Sequence, residues 1–370
     1  MADRLDQCRT SRASAAVAVS SPLSLSNDSW AARFQALPKA ELHVHLEGTL
    51  EPATVVALAK IYGDALPESA VTARYATRDF SAFIEAYKWV TSYLRAPRDY
   101  ALAARRLCEQ MLAQNVVYAE VTLSAGVMLL RKQDVEANFC AIREAAEPWE
   151  SRGLRLRWIF DAVRQFGPAA AREVARCAVG LRGAGVVAFG MGGDELSRPA
   201  TEFREVYDYA AAGGLHRLVH AGEIGGPDSV LDAANILGAG RIGHGIAAAA
   251  DPKVMALLAE RSIGLEICPT SNLRTGALAR YAGRADAGMP DHPLPKLFRA
   301  GIPISLSTDD PAMFDTTLTR EFSTLDEMGL HKPEIMSIAE GAFRGAFLPE
   351  GDKSTLLRAF RAKAESLGLL

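Results

Sequence analysis

The sequence predicts an α/β protein built as a (β/α)8 TIM barrel, with extra helices between its first and second strands. Three observations predict it. Eight short runs rich in Val, Ile and Leu recur between Glu41 and Asp310. Longer Ala-rich stretches of helical pattern separate them, the alternation that builds parallel sheets. The rival architecture, a doubly wound open sheet, wants a Gly-rich phosphate turn after its first strand, and "HLEGTLEP" is not G-x-G-x-x-G.

Taken in order, the first 28 residues are rich in Ala and Ser, with arginines upstream of a short apolar patch, "AAVAV". That patch is too short for the apolar region of a signal peptide, so the segment reads as a disordered extension. The first strand is "ELHVHL" (Glu41–Leu46). The stretch from Glu51 to Gln114 is long and mostly helical, and "DFSAFIEAYKWVTSYL" within it is amphipathic. One crossover needs less, so part of this stretch is expected to cap the barrel mouth. Strands follow at "VVYAEVTLS" (Val116–Ser124), "LRLRWIFDAV" (Leu154–Val163) and "GVVAFGMGG" (Gly185–Gly193). The last four are "HRLVHAGE" (His216–Glu223), "RIGHGI" (Arg241–Ile246), "IGLEICPTS" (Ile263–Ser271) and "IPISLSTDD" (Ile302–Asp310). Helices such as "PRDYALAARRLCEQMLAQ", "AAREVARCAVGLRGAG" and "PDSVLDAANILGAG" lie between them, several ending in Gly as helix C-termini prefer. No repeat or Pro/Gly-rich linker divides the chain, so residues 29–370 read as one domain.

Bulk properties narrow the function. The chain has 370 residues, 49% hydrophobic and 23% charged, an ordinary globular composition. A net charge of −3 offers no basic excess for nucleic acid or an anionic membrane. No apolar run reaches membrane-spanning length. The five cysteines are scattered and form no C-x-x-C, which fits a reducing, cytoplasmic setting better than a disulfide framework. Oligomeric state is not legible.

Chemistry collects at strand ends, where a barrel carries its active site. Side chains alternate along a strand, so His43 and His45 face the same way. "VHAGE" places His220 and Glu223 at the end of the fifth strand, "GHG" places His244 at the end of the sixth, and "STDDP" places Asp309 and Asp310 at the end of the eighth. Four of the chain's seven histidines sit at such ends. Each residue has an ordinary reading alone: a core histidine, a turn, a helix cap. Their convergence favours a site. Three imidazoles and one carboxylate suit a divalent metal of zinc type, so His43, His45, His220 and Asp309 are the expected ligands. Iron and manganese are compatible with the same set. A catalytic metal keeps a place for water and lowers its pKa toward ~7. His244 is placed as the base or orienting group for that water. Glu223 is the candidate acid, and Asp310 a hydrogen-bond acceptor for water or substrate. His216, His292 and His331 match no ligand pattern and read as structural or surface residues.

At this point the chain resembles the adenosine deaminase family. "PKAELHVHLEGTL", "LVHAGEIGG", "RIGHGI", "EICPTSN" and "SLSTDDPAMF" are similar to its motifs in the same order. The resemblance implies a zinc-dependent barrel that hydrolyses the 6-amino group of an adenine ring and releases ammonia. It implies His43, His45, His220 and Asp309 as zinc ligands, Glu223 as the proton donor to ring N1, and His244 and Asp310 as residues orienting the water. It also links Asp310 with ring N7, and the backbone N–H of Gly193, in "MGGDE", with ring N3. The cytidine-deaminase signature H-x-E…P-C-x-x-C is absent.

One departure bears on substrate. Typical adenosine deaminases carry "HLDG" after the first strand, with the Asp near a ribose hydroxyl, whereas Glu47 stands here in "HLEG". That is similar to adenine deaminases and 6-amino-6-deoxyfutalosine deaminases. "CPTSN" differs from the adenine deaminases' "CPLSN", and "TTLTREF" resembles the nucleoside enzymes. The expected substrate is therefore an aminopurine nucleoside, adenosine or a relative enlarged at its 5′ end, with adenine the alternative. Arg274 is a candidate partner for an anionic substituent or simply a solvated loop charge. A two-metal hydrolase of the same fold is disfavoured because no Lys lies between Gly185 and Gly193 to bridge the metals. A non-catalytic relative is disfavoured because every ligand and Glu223 are intact.

Overall fold

The computed structural model describes residues 30–370, and the extension expected at residues 1–28 lies outside the described residues. Eight parallel strands run in the order β1 (Lys39–His45), β2 (Val116–Leu123), β3 (Arg155–Val163), β4 (Val186–Gly192), β5 (His216–Ala221), β6 (Arg241–His244), β7 (Gly264–Ile267) and β8 (Ile304–Leu306). Each pairs with the next in sequence, as right-handed crossovers produce. The strands are apolar because both of their faces are covered. Trp158, Phe160, Phe189 and Val219 join the large core that includes the surrounding helices. Alternate residues on the same strands, Ile159, Ala188 and Leu218, form a small separate cluster. That alternation is the inside-outside pattern of a barrel wall.

The seam between β8 and β1 carries no ladder. It is closed just past β8, where the His45 amide donates to the Asp309 carbonyl at 2.9 Å and the Asp309 amide donates to the His43 carbonyl at 3.0 Å. Below that bridge the Ser307 hydroxyl accepts from the amides of Leu42 and His43, at 3.3 and 3.1 Å. The closure therefore fixes Asp309 against the two histidines of β1.

The long segment between β1 and β2 forms four helices, Pro52–Ile61, Glu68–Tyr75, Phe80–Thr91 and Pro97–Ala113. As expected from its amphipathic pattern, Phe80–Thr91 roofs the mouth of the barrel. Asp79 caps it by accepting from the Ala82 amide at 2.8 Å.

Several strands stop earlier than the sequence suggests. β5 ends at Ala221 instead of Glu223, β6 at His244 instead of Ile246, and β8 at Leu306 instead of Asp310. Backbone conformation explains the first two. Gly222 (φ 72°) directly follows β5 and His244 (φ 60°) is the last residue of β6, both left-handed positions at which extended backbone ends. Asp309 (φ 66°) is left-handed as well, beyond the end of β8. Pro269 likewise opens a short helix, Pro269–Arg274, inside the expected seventh strand.

Candidate active site

A cleft opens at the C-terminal ends of the strands. Its floor is polar: His45, His220, Glu223, His244, Asp309 and Asp310. Its outer wall is apolar, with Phe80, Phe83 and Ile84 from the roofing helix, Val163 from the end of β3, and Val127 and Phe166 from the helical segments that follow β2 and β3. Lys88 stands at the rim, 2.7 Å from Glu85.

On the floor the imidazoles converge. Nε2 of His43 and Nε2 of His45 each lie 3.3 Å from Asp309 Oδ1, and His45 Nε2 lies 3.3 Å from His220 Nε2. A tetrahedral metal with bonds of ~2.0–2.1 Å has ligand-to-ligand edges of ~3.3–3.4 Å, and the three distances that link these four groups match such edges. His43 Nε2 is buried with no hydrogen-bond partner, and its lone pair would be taken up by a cation. The combination of His43, His220, His244 and Asp309 gathers its ligand atoms within 4.8 Å of one another, so His244 is a rival to His45 as the fourth ligand.

Burial pushes His45 and His244 down to about 4 and holds His220 well below its ordinary value, keeping these rings in the neutral form that binds metals. Burial also acts to lower His43, but Asp309 and Glu266 outweigh it and raise the ring to about 10. A cation at the floor would take over the role of that proton. For Asp309 burial favours the neutral acid, and the surrounding histidines, His43 above all, overcome it and hold the carboxyl well below the usual range.

Glu223 stands beside this cluster, with Oε2 3.7 Å from His244 Nε2. Burial, then the neighbouring Asp309 and Glu195, raise it to about 8, so it holds a proton at neutral pH. Asp310 is buried and its Oδ1 has no hydrogen-bond partner. Burial and the adjacent Asp309 push its carboxyl well above the ordinary value. The candidate residues thus gather four imidazoles, a protonated carboxyl group and an unpartnered carboxyl oxygen in one place.

The same sequence matches the adenosine deaminase family model over residues 38–363. The chain belongs to the adenosine deaminase family. It is 38% identical over 328 residues to the aminodeoxyfutalosine deaminase of Streptomyces coelicolor, an alignment covering 86% of this chain and 82% of that one. Among solved structures, it is similar to the adenine deaminase of Arthrobacter aurescens (TM-score 0.81, 28% identity, 89% of this chain and 99% of that one). It is also similar to an amidohydrolase from Burkholderia ambifaria described with bound Zn (TM-score 0.80, 26% identity, 92% and 95%).

The remaining residues expected from the family resemblance are placed unequally. Gly193 lines the cleft with φ 91°, and a Cβ there would meet Gln165 Oε1 at 2.4 Å. Glu47 is buried, and its two oxygens are engaged within the wall. Oε1 accepts from the Ser124 amide at 3.0 Å, and Oε2 accepts from the Tyr87 hydroxyl at 3.3 Å. Arg274 does not line the cleft. Its guanidinium donates to the carbonyls of Thr77 and Tyr75, each at 3.1 Å, and so ties down the loop before the roofing helix.

Sequence reasoning missed the residues that hold this family site in place. Glu266 meets His43 Nδ1 at 2.6 Å and accepts from Arg241 Nε at 2.6 Å; Arg241 also pairs with Glu120. Such partners fix ring orientation and ligand basicity. Ser271 donates to Asp309 Oδ2 at 2.7 Å. Glu195 accepts from the amides of Glu223, Ile224 and Gly225, at 3.2, 3.0 and 2.9 Å, and so sets the loop that carries Glu223. The available signal was a charged residue inside an otherwise apolar strand, as in "GLEI". Its partner lies on a different strand and leaves no local trace.

Proposed function

We propose that this chain is a zinc-dependent hydrolytic deaminase that removes the 6-amino group of an aminopurine nucleoside as ammonia. The observation that carries the reading is the chain of 3.3 Å spacings that links His43, His45, His220 and Asp309 beside a protonated, buried Glu223. In this reading those four residues hold the metal, which would supply a nucleophilic water at neutral pH. Glu223 delivers its proton to ring N1, which breaks the ring's aromaticity and makes C6 electrophilic. Asp310 and His244 hold the attacking water against that carbon, and the Gly193 amide meets the far edge of the base. The apolar wall and the floor together exclude bulk water, which strengthens each of these polar interactions.

The favoured substrate is a nucleoside enlarged at its 5′ end, 6-amino-6-deoxyfutalosine foremost. The name of the Streptomyces relative supports it. So does the wall of Phe80, Phe83, Ile84 and Phe166 above a polar floor, with Lys88 at the rim for an anionic group. Adenine is the second reading, favoured by Glu47 lying within the wall, bonded to Ser124 and Tyr87, and not lining the cleft where a sugar hydroxyl would sit.

The test is ammonia release by zinc-loaded enzyme on adenosine, adenine, 5′-methylthioadenosine and 6-amino-6-deoxyfutalosine, side by side. The proposal expects kcat/KM to be highest for the last. A higher value for adenine would transfer the reading to the free base, and no release from any of the four would reject it.

A further inference from the structure

We infer that a buried chain from the Leu294 amide through His292 and Asn272 fixes His244 as its Nε2–H tautomer, so that His244 meets the attacking water as a hydrogen-bond donor. The catalytic part of this inference rests on the deaminase reading above; the tautomer itself does not.

The argument starts from a group with only one possible role. A backbone N–H donates and cannot accept. The Leu294 amide lies 3.1 Å from His292 Nδ1, so that nitrogen presents its lone pair. Burial lowers His292 to about 3, so the ring is neutral and its hydrogen sits on Nε2. His292 Nε2 is 3.2 Å from Asn272 Oδ1, which accepts it. The orientation of the amide follows. With its oxygen facing His292, its NH2 faces the other way, where Asn272 Nδ2 lies 3.1 Å from His244 Nδ1. An amide NH2 has no lone pair to offer, so His244 Nδ1 must accept. The hydrogen of neutral His244 is then on Nε2, the nitrogen that faces Glu223 Oε2 at 3.7 Å and Asp309 Oδ2 at 3.8 Å.

Reversing the amide would set its NH2 against the N–H of His292. All three side chains are buried, so no bulk water would relieve that clash. An Nε2 that already carries hydrogen cannot take a proton from the water. His244 therefore stabilises charge on the attacking oxygen and does not act as the base, and Asn272 and His292 are positioning residues. The expectation from sequence left base and orienting roles open for His244, and treated His292 as merely structural.

Asn272→Asp is nearly isosteric and reverses the logic. A carboxylate accepts from both rings and draws the His244 hydrogen to Nδ1. On the zinc-loaded enzyme, kcat should fall by roughly 10²- to 10⁴-fold, the span that a positioned proton-handling side chain contributes, with a loss of about 10⁴ where a catalytic histidine is held in the wrong tautomer, and KM should stay within about threefold. His292→Gln keeps a donor toward Asn272 and should retain far more activity than His292→Leu. Nitrogen NMR of imidazole-labelled wild-type protein, with His244 assigned by substitution, should show His244 neutral and protonated on Nε2. Asn272→Asp should move that proton to Nδ1 or add a second one. A wild-type spectrum with protonated Nδ1 overturns the inference, as does Asn272→Asp turnover within threefold of wild type. If the wild type deaminates no purine, the proposed function falls while the spectrum still decides the tautomer.

Discussion

Gly48→Ala probes how the ends of β1 and β8 fit together. A Cβ added at Gly48 would sit 1.8 Å from Asp310 Oδ1 and 2.5 Å from both Cβ and Cγ of Asp310. Contacts become ordinary only near 3.4 Å, so the carboxyl must move by well over an ångström. The backbone cannot yield easily, because Asp309 next door is bonded to β1 in both directions, at 2.9 and 3.0 Å. Rotation of the Asp310 side chain relieves the contacts at Oδ1 and Cγ, but its Cβ moves only with the backbone, so the carboxyl leaves its place and the Asp310 backbone is pushed against that bridge. Misplacing a catalytic group by about 1 Å costs on the order of 10²-fold in rate. Overpacking of a filled site costs about 1–3 kcal/mol, which lowers Tm by only a few degrees in a chain of this size. The expected result is a folded enzyme with kcat reduced about 100-fold and zinc retained, since the proposed ligands are not what the new methyl meets. Steady-state kinetics, a thermal melt and metal analysis on one preparation measure all three. A folded Gly48→Ala protein with kcat within threefold of wild type would refute the reasoning, because Asp310 would then be doing nothing at the position the structure assigns it.

Glu223→Gln should bind zinc at full stoichiometry yet lose most turnover, since the amide has no acidic proton to give N1; rates within a few-fold of wild type would remove Glu223 as the acid. Asp309→Ala should weaken zinc binding severely in a chelator competition, because it removes one proposed ligand, and retained stoichiometric zinc would sink that assignment. Glu321 tests pH linkage away from the floor: burial raises it from 4.5 to about 7, against hydrogen bonds from Thr270 and Thr316. The folded chain then binds this proton more tightly than the unfolded one, so stability falls as pH climbs from about 4.5 to about 7. Glu321→Gln, which imitates the protonated form, should exceed wild type by ~1–3 kcal/mol at pH 8 in urea unfolding, with the gap closing toward pH 5. A gap independent of pH would show that Glu321 does not titrate across that range.

Local pattern determined a large part of this molecule. The runs that became β1 to β8 were visible because a strand buried on both faces has to be apolar over consecutive residues, and the helices between them repeat on their own short period. The convergence of His43, His45, His220, His244 and Asp309 was also legible, since polar residues at the ends of apolar runs are conspicuous. What local pattern does not encode is which distant side chains touch. The need for Gly48 appears only once Asp310, from the far end of the chain, is folded against it. Glu195 reads as an ordinary loop acid until the β5 loop wraps its carboxylate. Glu47 and Arg274 look free to meet a substrate in the sequence, yet the fold engages both with the protein itself. His292 and Asn272 carry no sign of their link to His244. Periodicity is a property of near neighbours along the chain, whereas hydrogen-bond partnership in a barrel depends on where closure brings strand ends separated by hundreds of residues, and only the tertiary structure sets that.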